Sequence, residues 1–244
     1  MPLAPKPWVS FRTLALLRGL TVVAGCVGFF WGITHVARGE TSDSLWDMEA
    51  RLLQFETFSR TTSIATLESA AAQDLSPCDN HAQRALMLME IPLADTALRS
   101  GAVQEFDQRI LSLETRARQT LGCTPRDSFV WLLLFGLETQ HGIPNEHAFD
   151  LLAMSYETSP NEAWIAIRRI VVAMPVVRVA PEPIQQKVLA EFQNLIRHGF
   201  VEMPARSYLD ASASTRSLLQ SRIDLLDSRS QANFSEALQK QQRS

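Results

Sequence analysis

Two cysteines in this 244-residue chain have the setting of a disulfide. Cys78 in LSPCDN and Cys123 in LGCTPRD each lie beside a proline and a helix-capping residue, which places both at helix junctions. Loops of neighbouring helical hairpins come together, and in an oxidising compartment such a pair forms a bridge. The alternative is two free thiols at helix ends. Neither cysteine has a CxxC partner or a histidine at metal spacing, so redox catalysis and zinc are not favoured.

Arg168 and Arg169 are the second pair of residues that could do chemistry. Adjacent residues on a helix point about 100° apart, so one guanidinium can lie over the core while the other faces solvent or a groove. In a groove, an arginine would bind a carboxylate of a peptide or an acidic sugar through paired hydrogen bonds. The competing interpretation is an internal ion pair with Glu157 or Glu191.

Signals for catalysis are scarce. The sequence has no glycine-rich phosphate loop, HExxH helix, GxSxG elbow or DxD site. Its five histidines fall at predicted helix ends or loops, and the close pair, His141 and His147, has no third metal ligand nearby in sequence. Glu138 and His141 share a helical face and offer a local hydrogen bond. We therefore predict no catalytic residue, no cofactor and no metal site.

An uncharged apolar run from Gly19 to Ala37 predicts a transmembrane helix. Arg12 and Arg18 precede the run and acidic residues follow it, so the N-terminus, residues 1–18, is expected in the cytoplasm and the remainder, in a bacterium, in the periplasm. A cleaved signal peptide is the alternative. The length of the run, and His35 where a cleavage site would have a small residue, favour a retained inner-membrane anchor.

Beyond the anchor the sequence predicts an all-α domain over residues 41–226 and a polar tail, 227–244, that is either frayed or a weakly held helix. Apolar residues recur at helical spacing, and strand-like alternation is scarce. Ser42 or Asp43 is expected to start a new helix, Pro92 to kink or split one, and Gly122 to cap one. The net charge of −3, without a basic stripe, excludes nucleic acid as a favoured partner.

The best internal signal is a degenerate repeat. Trp131 and Trp164 lie 33 residues apart, close to the tetratricopeptide period. The segment between them has small, large, small and proline residues at the intervals of that repeat, namely Ala148, Leu152, Ser155 and Pro160. Glu138 departs from the pattern, which places an aromatic there. We interpret these residues as the repeat core of an irregular α-solenoid of helical hairpins; a helical bundle with packed tryptophans is the alternative.

The segments SYETSPNEAWIAIRR and VLAEFQNLIRHGF also carry a family resemblance. Over about residues 124–200 the chain resembles proteins with one membrane anchor and a tetratricopeptide-like periplasmic domain from alphaproteobacterial gene clusters for exopolysaccharide or O-antigen assembly. The resemblance implies a setting in surface polysaccharide production and no catalytic residue.

These observations together predict a non-catalytic, membrane-anchored periplasmic scaffold or adaptor. Its expected partners are inner-membrane proteins of polysaccharide assembly, and no oligomeric state is assigned. The first alternative is an accessory periplasmic enzyme or glycan-binding module acting on a surface polysaccharide. The second is a periplasmic assembly factor unrelated to sugars.

Overall fold

The computed structural model describes residues 11–73, 75–140 and 142–243, and for 11–17 and 31–42 only the path of the backbone. Within these residues every regular element is helical and no strand occurs, which confirms the all-α prediction. The α-helices are α1 Phe11–Leu53, α2 Arg60–Ala72, α3 Asn80–Ser100, α4 Val103–Cys123, α5 Ser128–Thr139, α6 Glu146–Thr158, α7 Ala163–Ala173, α8 Glu182–Arg197, α9 Glu202–Asp210, α10 Ala213–Ile223 and α11 Ser228–Arg243. A 3₁₀ turn over Met174–Val176 follows α7.

Helix α1 is one element of 43 residues. The prediction that a new helix begins at Ser42 or Asp43 is therefore wrong; no proline interrupts the segment, and the helix continues through both residues. Among the residues whose side chains are described, no helix combines the length with the apolar character that a membrane crossing requires. The side chains of residues 31–37, the second half of the apolar run, lie outside that description.

Helix α3 runs unbroken through Pro92, so the predicted split does not occur. Pro92 lies on the exposed side of the helix, away from the core. The helix ends at Gly101, which caps it in the left-handed conformation (φ 73°). Gly122 does not cap α4, which continues to Cys123 and is capped by Thr124.

Successive helices pack as pairs around one continuous apolar core. Helix α3 contacts α4, α5 contacts α6, and α7 contacts α8. Between the pairs, α5, α7 and α9 form one row of contacting helices, and α6, α8 and α10 form a second. Helices α1 and α2 both pack on α3, and α11 packs on α8 and α9.

The polar tail is part of this core. Phe234 of α11 is buried, with its ring centroid 5.9 Å from that of Phe192 and 5.9 Å from that of Tyr208. Both ring pairs meet edge to face, a favourable geometry for aromatic side chains. The helical domain therefore extends through α11 rather than ending at residue 226.

Candidate functional site

The end of α1 is held against the helical domain by a set of polar and aromatic contacts that we term the α1 docking cluster. On α1 it contains Trp46, Glu49 and Leu52, which share one face through their spacing of three, and Phe55 just beyond the helix. Its partners on the domain are Asp79, His81, Arg84, Asp127, Trp164 and Arg168.

Trp46 and Glu49 contact the start of α3. The Trp46 indole N–H donates to Oδ1 of Asp79, 3.1 Å away, and the same oxygen accepts from the backbone N–H of Ala82 and so caps α3. The His81 ring lies 5.0 Å from the Trp46 ring, and its Nδ1 is 2.6 Å from Oε2 of Glu49. The α3 cap is thus also an attachment point for α1.

Arg84 joins α1, α3 and the start of α5. Its guanidinium donates to Glu49 and, over 2.7 Å, to Oδ2 of Asp127. Asp127 in turn caps α5, since its Oδ1 accepts from the backbone N–H groups of Phe129 and Val130. Burial opposes the charge on Arg84, yet the two carboxylates hold its pKa above the ordinary value.

Arg168 joins α1 to α7. Among the described residues it forms no ion pair with a carboxylate. It donates to the carbonyl of Trp164 on its own helix (3.1 Å) and to that of Leu52 on α1 (2.8 Å). Its guanidinium lies 4.3 Å from the centre of the Phe55 ring and 5.5 Å from that of Trp164, and Arg84 lies at the same 5.5 Å from Trp164. Burial lowers the pKa of Arg168 to about 10.

Arg169 points into the protein and is 0% exposed. It donates to Oε1 of Glu191 from Nε (2.9 Å) and Nη2 (2.6 Å), and from Nη1 to the carbonyls of Ser155 and Ser159. The Tyr156 hydroxyl donates to the same carboxylate over 3.0 Å. Of the two interpretations of Arg169, the structure contains the internal ion pair, with Glu191 as its partner. Burial raises the pKa of Glu191, an effect that the hydrogen bonds from Arg169 partly offset.

A groove of ≈ 590 Å³ lies between the start of α7 and α8. Lys187 and Asn194 of α8, with His198 at its C-terminal cap, line one side of the groove, and Asn161 and Glu162 of the α6–α7 loop line the other. Buried Tyr156 and Glu191 and exposed Phe200 also line the groove. The groove offers amide, ammonium, imidazole and carboxylate groups, but the described chain holds no group of three His, Cys, Asp or Glu residues placed to bind a metal ion.

Cys78 and Cys123 are joined by a disulfide, with their Cα atoms 5.1 Å apart. Cys78 directly precedes Asp79, the cap of α3, and Cys123 is the last residue of α4. The bond therefore links the loop that receives Trp46 to the loop that leads into Asp127, two parts of the α1 docking cluster.

The predicted repeat-core residues occupy two kinds of position. Ala148 and Leu152 of α6 are fully buried. Trp131 and Trp164 are half-buried at the edge of the core, and their indole N–H groups bond to the carbonyl of Pro125 (2.8 Å) and to Oε2 of Glu162 (2.7 Å). Of the pair proposed for a local hydrogen bond, Glu138 is half-buried in α5 and His141 lies outside the described residues.

Sequence reasoning missed Glu49, Arg84 and Phe55. Arg84 had a signal, because it is a charged residue directly before the apolar stretch of α3 that begins at Ala85. Phe55 had none, since its role depends on how the end of α1 meets α7. The chain matches no protein-family model, no curated protein and no solved structure.

Proposed function

We propose that this protein is a membrane-anchored, non-catalytic scaffold whose helical domain binds partners in the assembly or export of an envelope polysaccharide. The observation that carries the proposal is the α1 docking cluster. It fixes the end of a long N-terminal helix to the start of α3 and to α7, which suits a helix that positions the domain relative to a surface. The proposal places the N-terminus in the bacterial cytoplasm and the domain in the periplasm.

The exposed first half of the apolar run supports an anchor. Large apolar side chains here are between 62% and 72% exposed: Leu20, Val23, Val27, Phe29 and Phe30. Apolar surface of this kind marks a membrane or protein interface. The basic residues before it and the acidic residues after it favour a lipid environment with the N-terminus inside.

The two rows of helices support a solenoid-like scaffold. In a stack of hairpins, first helices contact first helices and second helices contact second helices, as α5, α7, α9 and α6, α8, α10 do. Buried Ala148 and Leu152 have the sizes and positions that the tetratricopeptide pattern requires. The sequence motif around Asn161 and Trp164, with its resemblance to proteins of polysaccharide gene clusters, supports the setting.

Crosslinking in native membranes tests the scaffold. The native chain is compared with a variant whose residues 19–37 are replaced by an unrelated apolar span, and with a chain that keeps the anchor but lacks the domain. A scaffold predicts that polysaccharide-assembly proteins copurify with the first two and not with the third, and that polymer output follows the same order. Turnover of a surface polysaccharide by the purified protein would contradict the proposal.

The groove between α7 and α8 favours a second candidate, a glycan-binding module. Planar amides of Asn161 and Asn194 pair with sugar hydroxyls, and the ammonium of Lys187 would bind a uronate carboxylate. Titration with a galacturonate tetrasaccharide tests this candidate. Lys187→Gln and Asn194→Ala should each weaken binding, and Lys240→Gln, which changes an exposed lysine on α11, should not. Equal binding by all three variants would exclude the groove.

A further inference from the structure

Among the described residues, Phe55 is the one non-glycine residue with positive φ, at 65°. Its N–H donates to the carbonyl of Leu52, and the N–H of Glu56 donates to that of Arg51, both over 3.1 Å. This is the Schellman arrangement that ends a helix, and Phe55 occupies the position where glycine normally avoids the steric cost. A bulky residue is kept in this conformation only where its surroundings stabilise it.

The stabilising contact is Arg168. One guanidinium lies on the Phe55 ring and also donates to the Leu52 carbonyl, the acceptor that closes the turn. The turn is further held by the ion pair of Arg51 with Glu56, 2.8 Å apart. The end of α1 thus depends on a side chain from α7, a helix 116 residues away in the sequence.

The attachment of α1 has two parts of different strength. In the first part, the carboxylates of Glu49 and Asp127 both bind Arg84, and the contact is largely buried. At Phe55, Arg168 binds carbonyl oxygens and aromatic rings, and the Phe55 ring is 47% exposed. The second part can therefore open while the first stays closed.

We propose that Phe55 and Arg168 form a latch that couples the end of α1 to the groove between α7 and α8. Helix α7 carries the latch through Trp164 and Arg168, and its first turn borders the groove at Glu162 and Ala163. Trp164 links the two, since its ring faces Arg168 and its N–H bonds to Glu162. Opening of the latch shifts the first turn of α7 and so the wall of the groove. The latch goes beyond the scaffold function and does not depend on α1 lying in a membrane.

Hydrogen exchange on the purified full chain tests the latch through a double-mutant cycle. The readout is the backbone amide of Glu56, which closes the turn. Arg168→Met should speed its exchange by about tenfold when Phe55 is present, because the strained turn loses its support. In the Phe55→Gly background the same change should have less than about a twofold effect, since glycine adopts positive φ without strain.

Arg116→Met is the matched control, because Arg116 is a partly buried arginine on α4 that bonds to Gln83 instead. It should leave the Glu56 amide unchanged. Arg168→Lys is measured alongside, in case Arg168→Met speeds exchange throughout the chain; lysine keeps the charge but loses the planar stacking, and should release the same amide. Equal effects of the Arg168 variants in the two Phe55 backgrounds, or no effect in either, would overturn the latch.

Movement of the groove wall is the second readout. With Cys26 replaced by serine, spin labels on exposed Asn161 and Asn194 report the width of the groove and leave the Trp164–Glu162 hydrogen bond in place. The latch predicts a broader distance distribution in Arg168→Met than in the native chain, and no broadening in Arg116→Met. An unchanged distribution in Arg168→Met would contradict the coupling to the groove.

Discussion

Arg168 and Arg169 are neighbours in sequence and have opposite roles. Arg169 is enclosed between α6, α7 and α8, where its charge is matched by Glu191 and its remaining N–H groups by carbonyl oxygens. Arg168 lies at the surface of α7, where it bonds to the end of α1 and stacks on rings. The angle between successive helical residues separates them, so that one stabilises the domain internally and the other joins the domain to α1.

Complete burial with a charged partner distinguishes Arg169, which stabilises the core, from Arg168. A buried ion pair costs a large desolvation free energy, and it is tolerated when both partners are fully hydrogen-bonded, as Arg169 and Glu191 are. Arg168 is only partly buried, so it loses less hydration, and it contacts carbonyl oxygens and aromatic rings instead of a carboxylate. A partly buried arginine of this kind is suited to a contact that opens and closes.

Arg169→Ala should give the largest loss of stability, about 3–5 kcal/mol, because it leaves the Glu191 carboxylate buried without a counter-charge. Denaturant unfolding of the purified protein measures the loss. Arg168→Ala is the matched control and should cost only about 1–2 kcal/mol, from a hydrogen bond and ring contacts.

Replacing both members of the buried pair sharpens the interpretation. Arg169→Met combined with Glu191→Leu should recover a large part of the stability lost in Arg169→Ala, since no unpaired charge then remains in the core. A loss in Arg169→Ala no larger than in Arg168→Ala would mean that the two arginines do not differ in the way the structure indicates.

The disulfide, like Arg168, supports the α1 docking cluster, since Cys78 directly precedes Asp79. Cys78→Ser with Cys123→Ser removes a crosslink between residues separated by 45 positions, and the chain-entropy relation gives a loss of about 4 kcal/mol at most. Nonreducing mass spectrometry of the native protein should find the Cys78–Cys123 crosslinked peptide. Free thiols at both positions would show that the bond does not form. Equal stability with and without reductant would show that it does not stabilise the fold.

Trp164 and Leu152 separate the edge of the core from its centre. Leu152→Ala should cost about 2–5 kcal/mol because the side chain is 0% exposed, whereas Trp164→Ala should cost about 1–3 kcal/mol because the indole is half-buried. Trp164→Ala should in addition loosen α1, since both Arg84 and Arg168 contact the ring. Limited proteolysis between α1 and α2 would detect this; a cleavage pattern unchanged from the native chain would argue against a docking role for Trp164.

Sequence reasoning predicted the helical class and the burial of Ala148 and Leu152, because these depend on local spacing and side-chain size. It offered an ion pair for Arg169 but could not choose between Glu157 and Glu191, since that choice depends on how α7 packs on α8. The α1 docking cluster lay beyond it for the same reason: Glu49 and Asp127 meet at Arg84 only once three elements are assembled. The continuity of α1 past Ser42 was mispredicted because serine and aspartate cap a helix only where a new helix begins, and here the preceding helix continues through them.

Glu90 provides the smallest effect. It is a buried carboxylate of α3 that accepts from the Ser112 hydroxyl (3.0 Å) and lies 3.6 Å from Arg109, a looser arrangement than that of Glu191. Burial raises the pKa of Glu90 above its ordinary 4.5. The folded state therefore binds the proton more tightly than the unfolded state, and the resulting stability is present at pH below about 4.5 and is lost as the pH rises through the raised pKa.

Glu90→Gln should consequently have little effect on the free energy of unfolding near pH 4.5 and should stabilise the protein at neutral pH, where the native carboxylate is ionised. Urea unfolding of the native and variant proteins across this pH range measures the difference. If Glu90→Gln instead became less stable than the native protein as the pH rises, the carboxylate would be held ionised by Arg109.

The proposed membrane anchoring of the domain by α1, with the domain outside, can be tested with an alkaline phosphatase fused after Ser244 in intact bacterial cells, followed by alkaline carbonate extraction of their membranes. We expect an active phosphatase that stays with the membrane pellet, and an inactive one when basic residues are moved from before the apolar run to after it. An inactive phosphatase in the unaltered chain, or an active one released by carbonate, would rule out this anchoring.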